Sequence, residues 1–473
     1  MHWHSGFIRY AAAVALLVVT PALCTGPATA NEGGGPPIEN FVSPAPAGAR
    51  STPKRRPAID RPIERKRPVS AEERRPRVTT PARQTSENRT RRIARRPETA
   101  PSGQPPQGET RFLDDEVIVR YRLSSSPRGR DALVRRLDLR HVEGRTFALA
   151  GITVHRYQIV SGATISDTIA ALEADLNVVN AQPNYLYEAQ QAAKPAGAAQ
   201  YAIDRLGIRE AQDMGRGSGV RLAIIDSAID TSHEEFAGAA VDSFDVRDDP
   251  DGSADTHGTS VAGILAARST LLGIAPEARI LGIAAFSRAA DGSVRGNSWT
   301  VARGLDIAHR ESARIVNLSF AGPADPLVER SLAGIARRDV IAVAAMGNSG
   351  PRAAPLYPAA YASTIAVTAI DSTDRIYAEA TGGAHVAVAA PGVDILTLAP
   401  GGAFGFASGT SLAAAHVSGI AALLLAADPS VDRTRLETIL QDSAADLGAP
   451  GRDSVFGAGV PDASAALRAL ATQ

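Results

Sequence analysis

The chain predicts an α/β fold, a parallel sheet flanked by helices, preceded by a small ferredoxin-like α+β unit. Three observations predict it. From about residue 201 onward, continuous apolar runs of strand length alternate with helical stretches, the pattern of a parallel sheet buried on both faces. Between 111 and 190, strands that alternate apolar and polar residues are interleaved with helices, the order of a split βαβ sandwich. Ahead of both lies a stretch too poor in apolar residues to bury a core. At 473 residues the chain exceeds one ordinary domain.

The first 30 residues read as an export signal. Arg9 supplies the positive charge, Ala11 to Val19 the apolar stretch, and Ala28-Thr29-Ala30 the small residues before a cut at Asn31. This places the mature protein outside the cytoplasm, secreted or held in the periplasm or cell envelope. The single cysteine, Cys24, falls in this segment; lipid attachment there is opposed by the bulky Leu23 before it. After cleavage no thiol or disulfide remains, and stability rests on packing. No other apolar run is read as long enough to span a membrane.

Residues 31–110 are expected to be disordered, rich in Pro, Arg, Ser and Thr. Although the chain has zero formal net charge, positions 51–100 hold 16 Arg and Lys against 6 acids. Such an arm reads as a solvated tether or as a contact for an acidic surface. It lacks the interleaved aromatics that stack on bases, which weighs against nucleic acid.

In the 111–190 unit, Glu116 to Arg122 and Ile152 to Val160 alternate as strands, with a further strand near Thr146 to Ala150. Arg128 to Leu139 is helical in composition. A second helix over Thr164 to Leu176 puts Ile165, Ile169, Leu172 and Leu176 on one face, and Asn180 to Glu188 is extended. A linker over 191–200 separates this unit from the 201–473 domain. There, strands are expected at Val220 to Asp226, Ala278 to Phe286, Ala313 to Phe320, Val340 to Met346 and Thr364 to Ile370. Helices are expected at Ser260 to Arg268, Ser298 to His309 and Val328 to Arg337.

In parallel sheets, reactive groups gather at the C-terminal ends of strands. Asp226 ends the first strand, His257 opens a helix in DTHGTSVAGI, Asn348 ends a strand in AVAAMGNSG, and Ser411 opens the last long helix in GTSLAAAHVSG. These are the parts of an acyl-transfer site. A serine hydroxyl needs a base, an imidazole titrates near working pH, and a carboxylate orients the ring. An amide with a helix N-terminal N–H can receive the developing oxyanion. His416 and His233 read as packed structural histidines, and Gly215 to Gly219 as a plain loop.

The order Asp, His, Ser, with gaps of 31, 91 and 63 residues through Asn348, and the stretches DSAID, HGTSVAGI, VNLSFAG, AAMGNSG, VAAPG and GTSLAAAHVSG resemble the subtilisin-like serine proteases. The resemblance covers roughly 200–465, ending in FGAGVPDASAAL, and residues 111–190 are similar to the propeptide of that family. It implies a serine endopeptidase made as a monomeric, autoprocessed zymogen that acts on peptide or protein substrates and is held by its own propeptide. It implies that Ser319, Phe320, Ala321 and Gly322 pair with the substrate backbone, that Ala345, Met346 and Gly347 form the facing wall, and that Ser293 to Gly296 are the second edge. These segments are apolar or small, so a medium or large apolar side chain is expected before the scissile bond, with Met346 narrowing the space. The departures are Ser227-Ala228 after Asp226, Ser260 where histidine is common, Leu412 and Ala415 after the nucleophile, and a shortened ARSTLLGIAP loop with Glu235 in the place of a calcium-ligating aspartate. These last two features put the family's calcium site in doubt; no cofactor is expected, and calcium binding elsewhere is left open. A rival class, a protease-like binding module carried by the basic arm, is opposed by the presence of all four reactive residues.

Overall fold

The computed structural model describes residues 101–189, 200–248 and 253–472. The expected export signal, the basic arm as far as residue 100 and most of the linker lie outside the described residues. Residues 102–104, which composition assigns to the arm, bond to the following unit: Ser102 and the Gly103 N–H donate to Glu173, and Gln104 donates to the Ser166 carbonyl.

The first unit runs β1 (Phe112–Tyr121), α1 (Pro127–Arg136), β2 (Leu139–Phe147), β3 (Ile152–Ile159), α2 (Ile165–Glu173) and β4 (Val178–Ala189). Its strands pair antiparallel in the order β4-β1-β3-β2. Ser126 and Thr164 cap the two helices through their hydroxyls, and Pro127 sits in the first turn, where no N–H is needed. Val117, Val119, Leu133, Ile169 and Leu172 share one core. Two boundaries differ from expectation. Asp138, with φ of 49°, turns the chain left-handed after α1, so residues 139–147 become a full strand where only its end was read from sequence. Helix α2 stops at Glu173, where Asp175 closes a turn on the N–H of Asn177, and Leu176 is left 88% exposed.

The larger domain continues with α3 (Tyr201–Arg205), α4 (Ile208–Met214), β5 (Arg221–Ser227), β6 (Val241–Asp245), α5 (Thr256–Ala266), β7 (Arg279–Arg288), β8 (Val294–Asn297), α6 (Ser298–Arg310), β9 (Ile315–Leu318), β10 (Phe320–Ala321), α7 (Pro326–Ala336) and β11 (Ile341–Ala345). It closes with β12 (Thr364–Ile370), β13 (Val386–Pro391), β14 (Ile395–Ala399), β15 (Ala403–Ala407), α8 (Thr410–Ala427), α9 (Arg433–Asp442) and α10 (Ala463–Ala471). Seven strands form a parallel sheet in the order β13-β12-β11-β9-β5-β7-β6. Val, Ile and Ala fill these strands because both faces are covered: one apolar cluster takes in residues of α5 and α8, the other residues of α6 and α7. Strand order reverses between β5 and β9, so their C-terminal ends diverge into a crevice.

Helix α8 corrects one sequence reading. Its 18 residues are apolar enough, with mean hydropathy 1.7, to match a membrane span by length and composition, yet 89% of that stretch is buried. It is the central helix of the fold, rich in alanine because neighbours press on it from all sides.

Candidate active site

Asp226 sits at the end of β5 and is 2% exposed. Its Oδ1 accepts from His257 Nδ1 at 2.7 Å and from the Ser227 N–H at 2.7 Å. Helix α5 brings the imidazole there. Asp255 caps the helix by accepting from the His257 N–H at 3.0 Å, and the Gly258 N–H donates to Ser227 Oγ at 2.9 Å. A Cβ at Gly258 would lie 2.3 Å from the Ser227 carbonyl oxygen, so the glycine after His257 lets the helix seat on the strand end. The Ser227-Ala228 departure costs nothing in backbone strain, since neither residue has a positive φ. Ser260 donates to the Leu398 carbonyl and so ties α5 to β14.

Ser411 lies in the first turn of α8 and is fully buried. Its Oγ donates to the Ser319 carbonyl at 2.9 Å, and Ser319 Oγ donates to the Ser411 carbonyl at 2.9 Å. Behind this exchange, Asn317 Nδ2 donates to Ser319 Oγ at 2.8 Å and Ser418 Oγ donates to Asn317 Oδ1 at 3.0 Å. Strand β9 and helix α8 are thus locked together at the level of the hydroxyl. The aspartate and imidazole are brought together, while among the described residues the serine hydroxyl rests on a carbonyl.

Asn348 follows β11 and Gly347, whose φ is 90°. Its Oδ1 accepts from the Thr410 N–H at 3.1 Å and from Thr410 Oγ1 at 2.9 Å, while Thr410 Oγ1 accepts from the Gly347 N–H at 3.0 Å. With the amide oxygen held this way, the NH2 group is turned to the other side. Gly409, the residue before the helix, supplies no side-chain cap; in the first turn the Thr410 N–H goes to Asn348 and the Leu412 N–H to the Gly409 carbonyl. Thr410 was not singled out in the sequence; its one signal was its place beside Ser411.

Both expected edges converge on one strand. The end of β4 pairs antiparallel with β8, Tyr187 opposite Gly296 and Glu188 opposite Arg295, and with β10, Glu188 opposite Ala321 and Ala189 opposite Phe320. Strand β8 begins one residue after the start of the segment 293–296. On the facing wall, Ala345 and Met346 are buried, Met346 in the cluster that includes Phe320, Ala359 and Tyr361. Met346 points into the core and does not narrow the pocket. Leu356, missed in the sequence, lies there instead: a Cβ on Gly347 would be 2.4 Å from Leu356 Cδ1 and 3.1 Å from the Ala321 Cβ. A cavity of about 310 Å³ is lined by Ala321, Ser349 and Leu356 on one side and by Thr110, Arg111, Leu186, Glu188 and Arg295 on the other.

The family model described as the Subtilase family matches residues 217–459. The chain belongs to the subtilase family. It is therefore a hydrolase, a serine endopeptidase by family. It is 30% identical over 323 residues to the M-protease of Shouchella clausii strain KSM-K16, covering 67% of this chain and 81% of that protein. It is 32% identical over 305 residues to subtilisin E of Bacillus subtilis strain 168, covering 62% and 77%. Among solved structures, fervidolysin from Fervidobacterium pennivorans, a keratinolytic enzyme related to subtilisin, superimposes with TM-score 0.65 at 23% identity over 77% of this chain and 62% of that one, a likeness of fold.

At the subtilase calcium position the residues present make a different set of contacts. Glu235 is buried and accepts from the N–H groups of Ser269, Thr270 and Leu271. Burial would raise its pKa, but these three donors hold it below the usual carboxylate value. Gln200 meanwhile pairs with both the N–H and the carbonyl of Leu272. A calcium ion needs six to eight oxygens around it. Here the loop turns its N–H groups toward the carboxylate, and the donor set does not fit the ion.

Proposed function

We propose that this subtilase is an exported endopeptidase made as an autoprocessed zymogen, with Ser411 as nucleophile, His257 as general base, Asp226 as the group that orients the ring, and Asn348 as oxyanion donor. The observation that carries the reading is strand β4, which lies antiparallel between β8 and β10 as the middle strand of a three-stranded ribbon. An extended peptide substrate adds to a sheet edge in that way. The 112–189 unit then acts as an intramolecular inhibitor, filling the cleft until the linker is cut.

The chemistry follows from the geometry. Ser411 rotates about χ1 from the Ser319 carbonyl toward the imidazole, a change between staggered wells. Its oxygen attacks the peptide carbonyl carbon while its proton passes to Nε2 of His257. The carboxylate of Asp226, already bonded to Nδ1, stabilises the imidazolium. The carbonyl oxygen becomes an oxyanion that takes hydrogen bonds from Asn348 Nδ2 and the Ser411 N–H. The C–N bond breaks as the imidazolium returns its proton to the leaving amine, and water then hydrolyses the acyl-enzyme by the same base. The residue before the scissile bond enters the pocket between Ala321 and Gly347. Leu356 packs against Gly347 beside Ala321, an apolar surround that favours an apolar side chain.

The test is Ser411→Ala in the full chain. The expected product is a folded, uncut precursor that a fluorophosphonate does not label, against a processed, labelled wild type. An active and processed variant would refute the assignment.

A further inference from the structure

Tyr187 is the largest β4 side chain that enters the cleft, and it is fully buried. Its ring meets Phe320 edge-on at 5.4 Å, and Phe320 in turn lies 4.9 Å from Phe286. Gly322 makes room for it, since a Cβ there would stand 2.4 Å from the tyrosine ring. An apolar box of this kind would hold phenylalanine equally well. Its floor is not apolar. The Tyr187 hydroxyl donates to Asp325 Oδ2 at 3.1 Å, and Asp325 is 1% exposed.

The carboxylate is held in place by the peptidase itself. Asp325 Oδ1 caps α7, accepting from the N–H groups of Leu327 at 2.8 Å and Val328 at 3.2 Å. The Asp325 N–H donates to the Tyr361 hydroxyl, and that hydroxyl donates to the Asp325 carbonyl. Only the Gln182 amide, 2.9 Å from Oδ1, and the Tyr187 hydroxyl come from the first unit. When that unit leaves, Oδ1 keeps its helix partners and Oδ2 is left aimed into the box, its position set beforehand. Glu188, the neighbour on β4, makes a contrast. It pairs with Arg295 at 3.2 Å, but both are more than a third exposed, and such a pair selects little.

Register gives the position that this box reads. Glu188 faces Ala321 and Ala189 faces Phe320. A substrate in the same register puts its next residue opposite Ser319, whose carbonyl holds the Ser411 hydroxyl. That residue is the one whose carbonyl is attacked, and the box receives the side chain three residues before it. Resting on the endopeptidase reading above, we infer that Asp325 is a specificity-determining residue whose carboxylate selects tyrosine over phenylalanine at that position. A site built to bond a hydroxyl rejects the analogue that lacks it, because the buried acceptor is then left without a partner. Burial and the Asp325 charge both push the Tyr187 phenol pKa up, so the group stays a neutral donor.

The experiment compares two peptides that differ only in tyrosine or phenylalanine at this position, cut by enzyme matured from the full chain. The expected ratio of kcat/KM is about tenfold to a hundredfold in favour of tyrosine, the worth of one hydrogen bond to a buried charge. Asp325→Asn keeps a good helix cap and is expected to bring the ratio to within about threefold of unity, since the neutral amide rewards the hydroxyl less. Equal cutting of both peptides by the wild type overturns the inference while the endopeptidase reading stands. An unchanged ratio in Asp325→Asn removes Asp325 from the role. Failure to cut either peptide, with no labelling of Ser411, overturns both readings.

Discussion

At the residue scale, the site is a set of side chains each fixed by a partner that is itself fixed. Asn348 shows this best. Thr410 takes its amide oxygen with two hydrogen bonds, and the donor end is aimed by default. Such a donor acts on the transition state far more than on the bound substrate. Asn348→Ala is therefore expected to lower kcat about 10²–10³-fold with KM nearly unchanged, the cost known for removing one such donor from a subtilisin. Steady-state kinetics on a peptide ester and a peptide amide check it; a rise in KM alone would assign Asn348 to substrate binding. Asp226, His257, Asn348 and Ser411, the residues proposed for the chemistry, stood out in the sequence because two follow apolar runs of strand length and two open helices of small residues. Thr410 and Leu356 were not, because their importance lies in what they touch across the fold.

Among the elements, the loop between α5 and β7 carries a distinct consequence. In it the Glu235 carboxylate gathers three N–H groups, so a fixed negative charge does the ordering that a cation and its carbonyl ligands do elsewhere. Thermal unfolding of the Ser411→Ala protein is expected to give the same Tm with EDTA and with added calcium. Glu235→Gln is expected to cost about 2–4 kcal/mol, since an amide group replaces one carboxylate oxygen against buried donors. A Tm that falls with EDTA would contradict the fit argument. The shortened loop and Glu235 were visible in the sequence, but the direction of the N–H groups was not, because it depends on backbone turns that spacing does not determine.

For the whole molecule, stability should depend on pH through its core helix. His416 in α8 is buried, and burial lowers its pKa from 6.5 to about 4, against the smaller opposing effect of its bond to the Leu412 carbonyl at 2.8 Å. The unfolded chain then binds a proton between pH 6.5 and 4 that the folded chain refuses. Stability is full above about pH 6.5 and falls by about 3 kcal/mol as pH drops to about 4. The Glu235 carboxylate, also lowered, adds a further loss as pH falls through the acidic range below its ordinary value. Urea unfolding of Ser411→Ala at pH 7 and pH 4.5, with and without His416→Leu, measures this. The second substitution is expected to flatten the difference, and an unchanged slope would exclude His416 as its source.

Read alone, the sequence determined the α/β class, the small unit ahead of it, and the residues proposed here for acyl transfer. Apolar runs and polar residues at their ends are local features, set by which side chains a buried strand tolerates. The tertiary structure decided what those residues meet. It laid β4 between two cleft edges, turned Met346 into the core and put Leu356 in its place, and set a carboxylate beneath Tyr187 from 138 positions away. Contacts of that kind arise from how sheets and helices close over one another, and no period or spacing along the chain encodes them.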